Sequence, residues 1–295
     1  MYKNKDIIIS EHAPKSKRPL TDRQFANFLA GLIDGGGQIS KKGDLFILFH
    51  EKDISVAYYI KKSLNHGNIK KVKGYRAYNF RCTCLSLFED EERLKKIRKL
   101  LLDKLKQSQR IKQLNCHLTP KITFNLCPDF ASGKGKGKKS LLDNNPLNQG
   151  SSQLKESTLS LSANCLLKNH WLAGFIQANG SFVIKTLKRL NKIENQIVIQ
   201  VNQEDDFLLK QIQQTLNGYI GSRESCKSYY YSSLSLSNTI KAINYLDSYQ
   251  VMGATLTAYW LWRKAYLILQ DNKHNEHAGI YKFIRLKKSL TVLNG

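Results

Sequence analysis

From Lys61 to Cys82 the chain carries Lys61, Lys62, Lys70, Lys71, Lys73, Arg76 and Arg81 and no acid, with Tyr75, Tyr78 and Phe80 between them. Lysine and arginine in such a stretch can meet phosphates, while aromatic rings stack on bases or pack beneath them. A second set follows later: Lys185, Lys188 and Arg189, then Arg223 and Lys227 beside Tyr229, Tyr230 and Tyr231. Lys41 and Lys42 add two cations in a Lys-Lys-Gly-Asp turn. The same pattern would also suit half-buried strands whose outer face is only solvated. Cysteine offers little competing chemistry. None of Cys82, Cys84, Cys116, Cys127, Cys165 and Cys226 forms a C-x-x-C pair, so zinc-ribbon spacing is missing. Buried thiols are the expectation.

The charge of the whole chain points the same way. Lys+Arg is 47 against Asp+Glu 23, a net charge of +24 and a pI of about 9.7. A field of one sign favours a polyanion. No apolar run approaches the ~20 residues of a membrane span, so nucleic acid is preferred to a membrane as partner. Ile7-Ile8-Ile9 is too short for a signal-peptide core. A length of 295 residues, 41% of them hydrophobic, suits two domains.

The elements that must position these cations form a repeat. Phe28-Leu29-Ala30-Gly31-Leu32-Ile33-Asp34-Gly35-Gly36-Gly37 recurs, altered, as Trp171-Leu172-Ala173-Gly174-Phe175-Ile176-Gln177-Ala178-Asn179-Gly180. Thr21-x-x-Gln24 is a capping box, which predicts a helix start near Thr21. Glycine weakens a helix by about 1 kcal/mol relative to alanine, so the glycines need a reason. Close approach of two backbones supplies one, with Ala30 and Gly31 facing Ala173 and Gly174. Each run is followed by alternating strand residues, then by Asp and a helical pattern. Leu45, Ile47, Phe49, Asp53, Val56, Ile60 and Leu64 match Ile197, Ile199, Val201, Asp205, Leu208, Ile212 and Leu216 at an offset of 152. The runs are offset by 143, so nine extra residues (152 minus 143) fall in the second hairpin, around Leu187 to Gln196. Second strand pairs read at 69–87 and 220–236. An amphipathic helix reads at 91–105, with two counterparts at 239–249 and 256–269. Tyr259, Trp260 and Trp262 in the latter are core, given their apolar neighbours at helical spacing. The segment 280–293 is a basic helical pattern.

The two runs resemble the motif of the LAGLIDADG homing endonuclease family, in its single-chain, two-motif form, over roughly Thr21 to Leu293. The resemblance implies an α+β fold of two pseudo-symmetric αββαββα repeats. Their antiparallel sheets make a saddle for a nucleic-acid duplex, and the two motif helices form the domain interface. It also implies a metal-dependent DNA endonuclease, in which the eighth motif residue on each helix is a carboxylate that binds divalent metal. Here those positions hold Gly36 and Asn179. Asn179 offers only a neutral oxygen to a hard cation. Asp34 is two residues away, about 200° around the helix, and Gln177 in the matching place brings no charge.

The domain reading is a basic tail at 1–20, a first LAGLIDADG domain at 21–130, a flexible basic linker at 131–163 and a second LAGLIDADG domain at 164–295. The linker holds Gly133-Lys-Gly-Lys-Gly-Lys-Lys139 and Pro146. The expected function is a cleavage-inactive nucleic-acid-binding protein, a maturase or a ribonucleoprotein or ribosome component, with structured RNA favoured over duplex DNA. The alternative is a site-specific endonuclease cutting double-stranded DNA. The expected location is the mitochondrion or a plastid, and the expected state a monomer with an internal pseudo-dimer. No cofactor or metal follows, Mg²⁺ belonging only to the nuclease alternative.

Overall fold

A computed structural model describes residues 8–117 and 163–294, apart from 13, 16–17, 42, 83–88, 190–191 and 234. The first half runs α1 (Asp22–Gly36), β1 (Gly37–Ile39), β2 (Leu45–His50), α2 (Ile54–Leu64), β3 (Asn68–Lys71), β4 (Ala77–Cys82), α3 (Glu89–Leu101) and α4 (Ser108–His117). The second runs α5 (Trp171–Asn179), β5 (Gly180–Arg189), β6 (Lys192–Gln203), α6 (Phe207–Leu216), β7 (Tyr219–Arg223), β8 (Ser228–Ser232), α7 (Leu236–Ser248), α8 (Gly253–Gln270) and α9 (His277–Asn294). Each half thus follows the expected αββαββα order and then adds helices: α4 in the first, α8 and α9 in the second. Helix α4 was not legible in the sequence. Most of the linker span, and Lys42, lie outside the described residues.

Two antiparallel four-stranded sheets result, ordered β1-β2-β4-β3 and β5-β6-β8-β7. One face of each is apolar and covered. Leu45, Ile47, Phe49, Phe80 and Cys82 are buried in the first sheet, and Phe182, Ile184, Ile197, Ile199, Val201 and Tyr231 in the second. Tyr259 and Trp262 are fully buried beneath the second sheet, and both rings pack on Phe182. The opposite faces are mixed, with Phe46, Leu48, Lys70, Asn79 and Arg81 in the first sheet, and Val183, Lys185, Gln196 and the buried Val198 and Gln200 in the second.

The strand correspondence read from the sequence needs a correction. Ile47 pairs with both Gly37 and Phe80. The residue that pairs with both Gly180 and Tyr231 is Val201, not Ile199. Leu45, Ile47 and Phe49 therefore correspond to Ile199, Val201 and Gln203, a slip of two residues. A slip of two keeps every side chain on its own face, so hydrophobic alternation could not detect it. The cysteines need another: Cys82 is buried as expected, but Cys116 and Cys226 are exposed.

The described part of residues 8–20 does not stand apart as a tail. Ile9 is buried, and its backbone exchanges two hydrogen bonds with the Gln270 side chain at the end of α8. Buried Arg263, paired with Asp247 at 3.0 Å, also donates to the Ser10 carbonyl. Ile9 and Ser10 are thus tied to the second half before α1 begins. At Thr21 the capping box forms as read, with reciprocal bonds between Thr21 and Gln24.

Candidate nucleic-acid interface

Everything is centred on α1 and α5, whose backbones touch. An added Cβ at Gly31 would lie 1.8 Å from the Trp171 carbonyl oxygen, and one at Gly174 would lie 2.0 Å from that of Phe28. The contact is reciprocal, since Phe28 and Gly31 in one helix meet Trp171 and Gly174 in the other. Gly35 meets Ala178 in the same way, at 2.6 Å from its Cβ. Ala30 and Ala173 are fully buried beside these glycines, and the Ala173 N–H donates to the Tyr245 hydroxyl within the second half.

Asp34 faces away from the helix ends, as its rotation predicted. It is buried, and its carboxylate accepts from the backbone N–H groups of Lys106 at 2.8 Å and Gln107 at 3.2 Å, just ahead of α4. It also accepts from Trp171 Nε1 at 2.8 Å. Burial pushes its pKa up to about 7, against the pull of these three donors. Gln177 does the matching work in the second half. Its Oε1 accepts from the Met252 N–H at 2.7 Å, just ahead of α8. The sixth motif position is therefore a helix anchor in both halves.

The halves are also cross-tied. Asp53, read as the N-cap of α2, makes no cap bond there. Instead its carboxylate accepts from the N–H groups of Ala254 and Thr255 and from the Thr255 hydroxyl, capping α8 of the other half. Asp205 accepts from Phe207 N–H at the start of α6 and from Gln107 Nε2 of the first half.

At the helix ends, Gly36 is exposed, and an added Cβ would find Ala178 and Asn179 at an ordinary 3.7 Å. Asn179 donates its amide to the Gly35 carbonyl at 2.6 Å and to Gln203 Oε1 at 2.9 Å. Gln203 Nε2 in turn donates to the Asp34 carbonyl at 3.0 Å. Sequence reading missed Gln203. Its signal was a glutamine at an inward position of an otherwise apolar alternation. A divalent metal does not fit this donor set. Gly36 supplies no side chain, Asn179 donates through Nδ2 and leaves only a neutral Oδ1, and the Asp34 carboxylate points elsewhere. Among the described residues no cluster of three or more His, Cys, Asp or Glu could hold a metal.

The cations divide by strand parity. On the uncovered face of the first sheet Phe46, Arg81 and Asn68 lie across from one another, as do Leu48, Asn79 and Lys70. Arg81 is held by buried Asp44 at 2.7 Å and lies over the Phe46 ring, so it presents a flat guanidinium edge. Lys71 pairs opposite Tyr78 on the other parity and does not share the face of Lys70. Lys73 and Arg76 are exposed in the β3–β4 turn, and Lys41 in the β1–β2 turn. In the second sheet Lys185 pairs opposite Gln196. Exposed Arg223 lies over the Tyr230 ring, on the same face as Gly221. Lys227 is exposed in the β7–β8 turn. Lys188 and Arg189 are successive backbone positions of β5, and their side chains lie outside the described residues. Phe80 and Tyr231, read among the interleaved aromatics, are core. Tyr75 and Tyr229 remain exposed.

No described helix is long and apolar enough to cross a membrane. Comparison with known proteins agrees with this architecture. The family model described as LAGLIDADG endonuclease matches residues 172–266. An uncharacterized cox1 intron-2 protein of 37.2 kDa from Schizosaccharomyces pombe is 36% identical over 272 residues, 92% of this chain and 74% of the relative. A lysine-to-alanine variant of I-SmaMI superposes with a TM-score of 0.61 at 20% identity, over 90% of this chain and 98% of that one. The I-LtrWI LAGLIDADG homing endonuclease bound to its target DNA gives 0.56 at 18% identity, over 90% and 97%. At such identities the two structures speak for the fold. Two motif helices in backbone contact, two matching sheets and these likenesses lead to one conclusion: the chain belongs to the LAGLIDADG homing-endonuclease family, in its single-chain, two-motif form.

Proposed function

We propose that this protein binds nucleic acid on the uncovered faces of its two sheets without cutting it, and that it serves as an intron-encoded maturase or ribonucleoprotein component of the mitochondrion. One observation carries the reading. The positions where the fold would present metal acids hold a glycine and an asparagine whose amide is locked as a donor to Gly35 and Gln203. Phosphodiester cleavage by metal needs charge to stabilise attacking and leaving oxygens, and this pair supplies none. The net charge of +24 and the exposed Lys70, Lys73, Arg76, Arg223 and Lys227 support retention of a polyanion. The name of the Schizosaccharomyces pombe relative supports an intron origin. With cutting lost, structured RNA recognised by shape and phosphates is the favoured target.

The test has two arms. Purified protein is mixed with Mg²⁺ or Mn²⁺ and duplex DNA that it binds, and products are resolved on a denaturing gel. No site-specific double-strand cleavage is expected. Efficient cutting by the unaltered chain returns it to the nuclease class. In the second arm, structured RNA and duplex DNA compete for the same protein, and preference for RNA is expected. The DNA-endonuclease reading is the second one, favoured by the DNA-bound structure of similar fold and by the room for a side chain at Gly36. It predicts that Gly36→Asp with Asn179→Asp restores cutting. Continued inactivity is expected, because the Asn179→Asp change would set a carboxylate against the Gly35 carbonyl where an amide donor now sits.

A further inference from the structure

The basic helical pattern read at 280–293 falls within α9 and plays no part in the surface proposed above. Its inner face is core. Gly279, Phe283 and Leu290 are buried, and Leu286 and Leu293 pack against the same cluster. On β5 it meets Thr186, whose hydroxyl accepts from Lys287 Nζ at 2.7 Å. Thr186 has the parity of buried Phe182 and Ile184. Helix α9 therefore lies beneath the second sheet, and its outer face turns away from the uncovered one.

Both ends of the helix are pinned. An added Cβ at Gly279 would lie 1.7 Å from the Lys273 carbonyl oxygen. At the other end Lys52 of the first half donates to the carbonyls of Val292 and Leu293, and Asn294 Nδ2 donates to the Phe182 carbonyl. What this fixed helix offers to solvent is a ridge. Tyr281, Ile284 and Val292 are 67%, 60% and 68% exposed, and Ile280 beside them is 44% exposed. His277, Tyr281, Ile284, Lys288 and Thr291 follow one another at steps of four, three, four and three, the spacing of a coiled-coil seam. The seam is about 21 Å long at a rise of about 1.5 Å per residue. Exposed Arg285 and Lys288 sit within the ridge, with Lys282 to its side, and α9 holds no acid.

Charge and shape select the occupant. A second copy would set Arg285 and Lys288 against the same cations. Residues 118–162 of this chain, outside the described part, are no better matched, with six lysines against three acids. A nucleic acid answers the cations but not Ile280, Ile284 and Val292. A bilayer surface takes an apolar line whose cations lie on the other face, and here Lys288 lies in that line. We propose that α9 is the docking surface for an acidic amphipathic helix of a partner protein. Its apolar residues cover Tyr281, Ile284 and Val292, and its carboxylates meet Arg285 and Lys288. A cation at a seam position also fixes the register of the pair. The inference stands apart from the nucleic-acid reading, because the two surfaces lie on different sides of the second sheet.

The probe is a synthetic fluorescent peptide of three heptads, with leucine on the seam and glutamate at the flanking positions. Fluorescence anisotropy with the full chain should show saturable binding, roughly tenfold tighter than that of a peptide of the same composition in shuffled order. Ile284→Ser should weaken it by roughly tenfold. Arg285→Glu with Lys288→Glu should abolish binding of the glutamate peptide and confer binding of its lysine counterpart. General attraction between a basic chain and an acidic peptide cannot produce that exchange. Lys99→Glu with Lys241→Glu, exposed on α3 and α7, should leave peptide binding as it was. Every side chain changed is exposed, so the fold is kept. In the native compartment, a photo-crosslinking residue in place of Ile284 in the intact chain should join to an acidic segment of heptad spacing in another protein. Equal binding of ordered and shuffled peptides, no exchange on charge reversal, or crosslinks from position 284 to RNA, lipid or a second copy overturns the inference. Each of these results leaves the reading of the sheet faces standing.

Discussion

Replacing Gly31 by alanine tests the backbone contact on which the molecule is built. The added Cβ would lie 1.8 Å from the Trp171 carbonyl oxygen, 2.8 Å from its carbon and 2.9 Å from the Phe175 nitrogen. All three are backbone atoms of α5, so no side chain can rotate away. Ordinary contact is roughly 3.5 Å, so the helices must part by more than an ångström along their closest line. Overpacking costs about 1–3 kcal/mol when neighbours can adjust. Here they cannot, and a loss of about 3 kcal/mol or more is expected. At roughly 2–4 °C per kcal/mol for large domains, the melting temperature should fall by about 6–12 °C. Gly174→Ala meets the Phe28 carbonyl at 2.0 Å and should cost about the same. One separation relieves both clashes, so the double variant should lose clearly less than the sum of the singles. Gly36→Ala is the control, because its Cβ would meet neighbours at an ordinary 3.7 Å, and no loss is expected. Thermal unfolding followed by circular dichroism reads all four. Wild-type stability in Gly31→Ala, or strict additivity of the pair, would refute the reasoning.

The remaining predictions concern charge and anchoring. Affinity for duplex DNA should fall steeply with salt, and the slope of log K against log salt should drop by about 0.9 for each phosphate contact removed. Lys70→Ala, Arg76→Ala and Arg223→Ala should each lower that slope, whereas Lys71→Ala, on the other parity, should change it less. Asp53→Ala removes the cap of α8 and should cost about 1–2 kcal/mol, read by chemical denaturation; an unchanged midpoint would deny the cross-tie. Asp34 has its folded pKa raised to about 7 from 3.8, so between those values the native state holds more proton than the unfolded one. Its contribution is present at low pH and lost as pH rises through that window. Asp34→Asn should flatten the decline in stability between about pH 4 and 7, and an unaltered pH profile would show that Asp34 does not titrate there.

The sequence by itself determined the repeat, the helix start at Thr21, the apolar faces of both sheets, the aromatic core around Tyr259 and Trp262, and the missing acids at Gly36 and Asn179. These are local matters of cap chemistry, alternation and residue identity, and each is written in adjacent residues. Only the tertiary structure decided the partners. Asp53 has the right type and place to cap its own helix, yet it caps α8 in the other half, because the helix packing brings that N-terminus within reach. A two-residue slip leaves alternation unchanged, so the position of Gln203 beside Asn179 was set by backbone hydrogen-bond register. Lys70 and Lys71 are equal in composition, and strand parity alone separates them. Gly31 and Gly174 announced that something comes close; that it is the carbonyl of the opposite helix is a fact of three-dimensional contact between segments far apart in the chain.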